Sequence, residues 1–550
     1  MGYKVLVTDQ IDEVAVKILQ DVCEVHYRPV LTAEDLKTII HDYDALMVRS
    51  SSKVTKDVIS VADRLKVIGR AGVGVDNIDI EAATDKGIVV LNSPEGNTVA
   101  ATEHTIAMML SMIRHIPAAD SSIKAGKWER SKLTGKEAFN KNIGIVGLGK
   151  VGSRVASIVR AMGMKIFVYD PFVSQDRIEG LGAYYATSLD DIWKSADFIT
   201  LHIPKNKDTF NLINRDTLAK MKKGVKIINC ARGGLINEAD LAEAIGNGQV
   251  EMAAIDVFDR EPVDNSPLLK LGDKVILTPH LGASTEEAQI NVAVDVAEQI
   301  RDMSQGLSAR SAVNMPFLNP EALEHVKHYI ALAENLGALV RQITRGATRE
   351  IEIVASGELA ELDISPLVVA VTKGVLCCSS EGVNYVNASK LAERSGIHIR
   401  KSTSTNSENY LSLLKIILTT DKETTNTMGT ILGKDLPRIL RFNGYHTSIE
   451  PAEHMLVLPH KDKPGMIAQV ATLLSEGNIN ISMMQVGRKV RAQIGGESIM
   501  ILNVDEPVSW NMLKQLQKID GIYRAEYVNL TAKFFQSQDI VSLPCSALRS

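Results

Sequence analysis

The chain has little of what would mark a secreted, membrane or nucleic-acid-binding protein. Its 550 residues hold five cysteines, Cys23, Cys230, Cys377, Cys378 and Cys545. An odd number without metal-ligand spacing speaks against a disulfide framework and a metal site, and points to reduced thiols in a cytoplasmic protein. No apolar run approaches the roughly 20 residues that span a bilayer, so no membrane association is expected. Basic residues are not in excess: 61 Lys and Arg against 66 Asp and Glu leave a net charge of -5, giving no reason to expect a nucleic-acid partner. Low-complexity segments and short tandem repeats are also missing. The N-terminus runs directly into an apolar strand after Gly2 and Tyr3, which leaves no room for a targeting peptide.

What is present is ordinary globular composition, 45% hydrophobic and 23% charged, in a chain too long for one core. Three or four domains are expected. Short apolar segments at 4–8, 45–48, 67–69, 142–146, 165–169, 198–201, 225–229 and 275–278 alternate with amphipathic stretches, the pattern of βαβ units in parallel sheets. Asn314-Met315-Pro316-Phe317-Leu318-Asn319-Pro320 reads as a linker. A second break falls near Glu450-Pro451, and the order βαββαβ that follows it predicts a ferredoxin-like unit. From Thr531 onward periodicity is lost and a loose tail is expected.

Gly147-Leu148-Gly149-Lys150-Val151-Gly152 lies between an apolar strand and an amphipathic helix. Gly147 suits the tight turn, Gly149 lets the backbone approach a pyrophosphate, and Gly152 allows close helix–strand packing. The helix N-terminus adds partial positive charge. Asp170, at the end of the next strand, can accept from both ribose hydroxyls and would repel a ribose phosphate, which favours NAD over NADP.

Three polar residues follow further strands: Arg232 after 225–229, Glu261 after 253–257 and His280 after 275–278. Open α/β sheets place ligands at such positions. Oxidation of a 2-hydroxy acid needs a base near neutral pH, a group that tunes it, and a cation for the carboxylate. Imidazole, carboxylate and guanidinium fill those roles in that order.

On the Gly147–Gly152 loop with Asp170, the Asn229-Cys230-Ala231-Arg232-Gly233-Gly234 run, Asp256-Val257-Phe258 leading to Glu261-Pro262, and Pro279-His280-Leu281-Gly282, residues 3 to 315 resemble the D-2-hydroxyacid dehydrogenase family. The resemblance implies a catalytic set of Arg232, Glu261 and His280. It implies cofactor contacts at Gly147, Gly149, Lys150, Val151, Gly152, Asp170, Ile203, Cys230, Ala231, Arg232, Asp256, His280 and Gly282. The implied architecture is α/β: a Rossmann-like NAD-binding domain, 96–282, inserted in a flavodoxin-like substrate domain, 1–95 plus 283–315. Helices near Asn97 and Ser284 would cross between them, the second opened by a capping box of Ser284 and Glu287.

Specificity has to come from elsewhere. Arg49, Ser52 and Arg70 follow strands and would suit a phosphate. Asn97 opens a helix whose amides could take a carboxylate. Resemblance to family members acting on a phosphorylated 2-hydroxy acid adds Val73, Gly74 and Arg130, the last reaching across a dimer. Residues 316–451 resemble the intervening domain of long family members; Lys373, Arg394, Arg400 and Lys401 there read as scattered surface charge. Residues 452–530 resemble an ACT domain, which implies an L-serine effector at His460, Asp462, Gly465 and Asn480, with 531–550 as the tail. Asp462 stands where many relatives carry asparagine. A homo-oligomer, dimer or tetramer, is implied as well. Three other readings stay open: a reductase of glyoxylate, hydroxypyruvate or lactate type, a non-enzymatic NADH-sensing corepressor, and an inactive serine sensor.

Overall fold

The computed structural model describes residues 2–29, 31–307, 309–315, 320–378, 382–489 and 495–530. Residues 316–319 of the expected linker and the 531–550 tail lie outside them. The first sheet is parallel, its five strands running Glu24–Arg28, Lys4–Thr8, Ala45–Val48, Val67–Arg70 and Val89–Leu91 from edge to edge. That is the flavodoxin-like order. Every residue of Ala45–Val48 is buried, because helices cover both faces of a parallel sheet and no side is left for water. One covering helix, Glu286–Ser304, comes from far downstream and packs Val292, Val296 and Ile300 against Val5, Val7 and Met47. Its N-cap is Thr285, which accepts from the Ala288 amide; the expected Ser284–Glu287 capping box is therefore corrected by one position.

The second sheet has seven parallel strands, ordered Val275–Leu277, Val250–Ile255, Val225–Asn229, Phe198–Leu201, Asn142–Val146, Lys165–Tyr169 and Tyr184–Tyr185. The order reverses between Asn142–Val146 and Phe198–Leu201, and such a reversal opens a crevice at the strands' carboxyl ends. The Gly147 loop stands at that crevice.

A six-stranded mixed sheet follows, His398–Ser404, Thr348–Gly357, Ser412–Thr420, Thr424–Leu432, Leu436–Phe442 and Tyr445–Ile449, backed by helices Pro320–Ile343 and Ser365–Leu376. Last comes an antiparallel sheet of four strands, ordered Ile481–Arg488, Glu497–Val504, His454–Lys461 and Glu526–Asn529, with helices Met466–Glu476 and Trp510–Lys518. This is the ferredoxin-like order. Along His454–Lys461 the side chains alternate between two cores: Leu456 and Leu458 meet the helices, while Met455 and Val457 join the core of the preceding unit. The unit that begins near Pro451 therefore has a core of its own and also contributes to the core before it.

The third unit also grips the first. Val386 enters the core of the first sheet, and Asn384 Nδ2 donates to the Gly87 carbonyl at 2.8 Å. Lys390 pairs with Asp85 at 2.7 Å and Glu81 at 3.1 Å, and Arg394 pairs with Asp85 at 2.8 Å. Between these contacts Tyr385 turns the other way and donates to Glu334, which also takes Lys373 Nζ at 2.7 Å. Of the four basic residues read as surface charge, Arg400, paired with Glu350 at 3.2 Å, and Lys401 are exposed. Lys373 is nearly buried and Arg394 is an inter-unit contact. Among the described residues no helix is long and apolar enough to cross a membrane.

Candidate active site

Strand Asn142–Val146 delivers Gly147 with a φ of +94°, and a Cβ there would lie 2.5 Å from the His202 carbonyl and 2.7 Å from Ile203. A Cβ on Gly152 would lie 2.1 Å from the Gly147 carbonyl, so neither position admits a side chain. Gly149 is the N-cap of helix Lys150–Ala161 and has open space beside it. This is the cradle a pyrophosphate needs. Asp170 is locked against it, its carboxylate accepting from Leu148 N at 2.7 Å and Phe172 N at 2.9 Å. A carboxylate offers about four lone-pair sites, so two remain for ribose hydroxyls. Lys150 Nζ pairs with Glu95, and Val151 is half-buried in the helix.

The catalytic candidates come together on neighbouring strand ends. His280 Nδ1 lies 2.7 Å from Glu261 Oε2, while Glu261 Oε1 accepts from Phe258 N at 3.0 Å. The bond from Glu261 raises the imidazole pKa above its ordinary value of 6.5, against the opposite pull of burial. Burial alone would raise the Glu261 carboxyl; the bonds from His280 and Phe258 hold it below the usual carboxylate range. Arg232 anchors Nη1 on the Ala231 carbonyl at 2.8 Å and sets Nε 3.4 Å from Asp76, a residue of the first unit. A Cβ on Gly74 would sit 2.4 Å from Arg232 Nη2, so the guanidinium reaches across the cleft only because Gly74 is bare.

On the first unit's side, burial pushes Arg70 down to about 10, with Arg232 and Arg49 adding to the shift and Asp76 and Asp9 opposing it. Its buried Nε has no hydrogen-bond partner among the described residues. A partly buried guanidinium influenced by two others leaves positive charge gathered on this side of the cleft. Arg49 Nη1 rests on the Gln10 carbonyl at 3.1 Å. Val73 offers its carbonyl to Asn92 at 2.7 Å, and Asn97 is the N-cap of Thr98–Ile113 without a side-chain cap of its own.

The Ser52 hydroxyl is buried, bonded to Asp9 Oδ1 at 2.9 Å and to Thr8 Oγ1 at 2.8 Å, so in this structure it braces the loop that carries Arg49. Arg130 sits on an exposed turn, Arg130–Leu133, and no hydrogen bond or ion pair joins it to the other candidates among the described residues. Asp256 faces inward: fully buried, its carboxylate accepts from the Thr278 hydroxyl and the amides of Leu281 and Gly282. Ala231 donates its amide to Asn229 Oδ1 at 3.1 Å, which shapes the turn before Arg232. Burial drives the Cys230 thiol up to about 12, aided by Asp256, which makes it unreactive.

The sequence reading missed Asp9, which accepts from Arg49 N at 2.5 Å and Ser52 N at 3.3 Å, and Asn77, which donates to the carbonyls of Arg49 and Ser52 at 2.6 and 2.7 Å. Asp9 does stand at a strand end, but nothing in the sequence tells that its partner lies forty residues on.

In the fourth unit His460 is buried, with Nδ1 at 2.9 Å from the Lys461 carbonyl and Nε2 without a hydrogen-bond partner among the described residues. Asp462 pairs with Arg488 at 2.7 Å. Gly465 is the left-handed N-cap of Met466–Glu476. Asn480 donates to Asp505 at 2.6 Å, and no bond links it to His460 or Asp462 among the described residues.

Residues 106–282 match the NAD-binding domain of the D-isomer specific 2-hydroxyacid dehydrogenases, 325–443 the D-3-phosphoglycerate dehydrogenase intervening domain, and 454–521 the ACT domain. The chain is 48% identical to the D-3-phosphoglycerate dehydrogenase of Synechocystis over 96% of its own length and 95% of that protein. It is 43% identical to the enzyme of that name from Methanocaldococcus jannaschii, over 96% of this chain and all of the relative. Among solved structures, a glyoxylate reductase from Paecilomyes thermophila is 29% identical, with a TM-score of 0.53, covering 57% of this chain and 98% of that one.

Proposed function

The chain belongs to the D-3-phosphoglycerate dehydrogenase family, and from that premise we propose which of its groups carry each part of the reaction. The enzyme oxidises 3-phosphoglycerate to 3-phosphohydroxypyruvate with NAD, the first step of L-serine synthesis. NAD supplies the hydride acceptor, and the bare Gly147 and Gly152 cradle with the fixed Asp170 carboxylate fits it. His280 takes the hydroxyl proton on the nitrogen not bound to Glu261. Glu261 fixes the ring and stabilises the imidazolium that forms. Arg232 binds the substrate carboxylate and polarises the developing carbonyl. Arg49 and Arg70 receive the phosphate.

The observation that carries this reading is the 2.7 Å His280–Glu261 pair standing on the same crevice as a cross-cleft Arg232 and a buried, unpartnered Arg70 Nε. The glyoxylate reductase likeness stops at 57% of the chain, whereas the phosphoglycerate relatives match along 96%. The names of those near full-length relatives favour the phosphorylated substrate.

The effector is L-serine, its carboxylate at the Gly465 amides and its ammonium at Asp462, with His460 and Asn480 completing the site. The unpartnered His460 Nε2 supports this. Asp462 is already held by Arg488, so the incoming ammonium has to share that carboxylate. Exposed apolar side chains at Ile116, Ile123, Trp128 and Phe139 support a homo-oligomer, dimer or tetramer. Free thiols at Cys23 and Cys230 suit the cytoplasm.

The test is the initial rate of NADH formation from 3-phosphoglycerate and NAD, with and without L-serine. Turnover suppressed by serine supports both assignments. Serine-insensitive turnover removes the effector, and turnover of only an unphosphorylated hydroxy acid removes Arg49 and Arg70 from their role.

A further inference from the structure

The loop that carries His280 is held by one buried carboxylate. Asp256 Oδ1 accepts the Thr278 hydroxyl at 2.5 Å and the Leu281 amide at 2.8 Å; Oδ2 accepts the Gly282 amide at 2.9 Å. The Asp256 backbone carbonyl accepts the His280 amide at 2.9 Å. One further group reaches Oδ1 from outside the sheet. His104 Nε2 lies 3.1 Å from it and 3.3 Å from Thr278 Oγ1. Burial would raise the Asp256 carboxyl, yet the bonds from His104, Thr278 and the two amides hold it below the ordinary carboxylate range, so it remains an ionised acceptor.

His104 belongs to helix Thr98–Ile113, whose first residues open beside the substrate cleft and whose body packs on the nucleotide-binding helix Lys150–Ala161. A single imidazole thus ties the helix between the two units to the loop bearing the base. Cys230 also approaches, all three ligand atoms falling within 4.8 Å. Both oxygens of Asp256 already face protons, however, which makes this a hydrogen-bond network rather than a cation cage.

We propose that His104 is a positioning residue: its Nε2–H fixes Asp256, and through Asp256 the placement of residues 280–282, so that the base is aligned only when helix Thr98–Ile113 is seated. The inference rests on the assignment of His280 as the base. It needs no titration of His104, since the neutral ring protonated on Nε2 donates this bond.

Two substitutions separate hydrogen bonding from shape. His104→Phe keeps the ring and removes the donor; His104→Gln returns an N–H at similar reach. With NAD and 3-phosphoglycerate, His104→Phe is expected to lower kcat about tenfold to a hundredfold, the scale of a misplaced catalytic group. His104→Gln should recover most of kcat. Amide exchange at Leu281 and Gly282 should quicken in the Phe variant and return in the Gln variant, a readout independent of any substrate. Wild-type kcat and exchange in His104→Phe would overturn the proposal, as would equal impairment of the two variants. A wild-type enzyme inactive on phosphoglycerate overturns the functional reading instead, and the exchange measurement still decides the role of His104.

Discussion

Glu261 Oε2 sits 2.7 Å from His280 Nδ1 while its other oxygen accepts the amide of Phe258, so one carboxylate both aims the imidazole and favours its protonated form. The two directions of the reaction then respond oppositely to pH. Oxidation needs the neutral ring and fails as pH falls through the raised pKa. Reduction needs the imidazolium and fails as pH rises through it. The His280 contribution to folding stability follows the same sign: present in full below the unfolded value and lost above the raised one.

Glu261→Gln should therefore move the acidic limb of the oxidation profile to lower pH, toward or below 6.5, and lower kcat. The kcat/KM profile of wild type and variant checks it; an unmoved limb would mean that Glu261 does not tune the base.

Asp170→Ala removes the acceptor for Leu148 N and Phe172 N together with the groups meant for ribose. KM for NAD should rise about tenfold, corresponding to roughly 1.4 kcal/mol. The ratio of kcat/KM for NAD and NADP should shift toward NADP. An unchanged ratio would leave Asp170 a purely local brace of the glycine loop.

Asp9→Asn tests the brace beneath Arg49. Asparagine tolerates the left-handed φ of +64° at this position but lacks the charge that receives Arg49 N and Ser52 N. KM for 3-phosphoglycerate should rise about tenfold or more, the scale of the roughly 1.5–3 kcal/mol carried by a hydrogen bond to a charged group, while KM for NAD stays level. Equal effects on both would show a global change instead.

Lys390→Glu with Arg394→Glu places like charges against Glu81 and Asp85. Amide exchange in helix Ile80–Asp85 should accelerate, and the reciprocal Glu81→Lys with Asp85→Lys should restore it. Exposed pairs contribute about 0–1 kcal/mol each, so the loss in Tm should be small and the local exchange is the sharper measurement.

Much of this was legible in the sequence, for reasons particular to each residue. Parallel strands buried on both faces read as uninterrupted apolar runs, as Ala45–Val48 does. Gly152 is kept bare by the carbonyl of Gly147, close by in the chain, so that spacing is visible in one dimension, whereas Gly147 is kept bare by its positive φ and by His202 and Ile203 on another strand's end. Arg232, Glu261 and His280 stand out because polar residues following such strands have few structural duties. Ser52 could not be read the same way: its hydroxyl is claimed by Asp9, 43 positions away, and residue type does not reveal which way a hydroxyl turns. Lys373 read as surface charge because its partner Glu334 lies 39 residues back on another helix. The cap slipped from Ser284 to Thr285 because two adjacent hydroxyls are equally able to receive an amide, and tertiary packing chose between them.

The place of Val386 bears on how this polypeptide could ever be divided. A chain ending near 315 would keep every group assigned to catalysis, yet the hydrophobic interior of its first sheet would be left with a gap opening on water and the Gly87 carbonyl without its amide partner. The downstream half is thus not cargo added to a finished enzyme: its segment 384–394 completes the wall on which the substrate sheet rests, and trimming it would call for redesign of that wall.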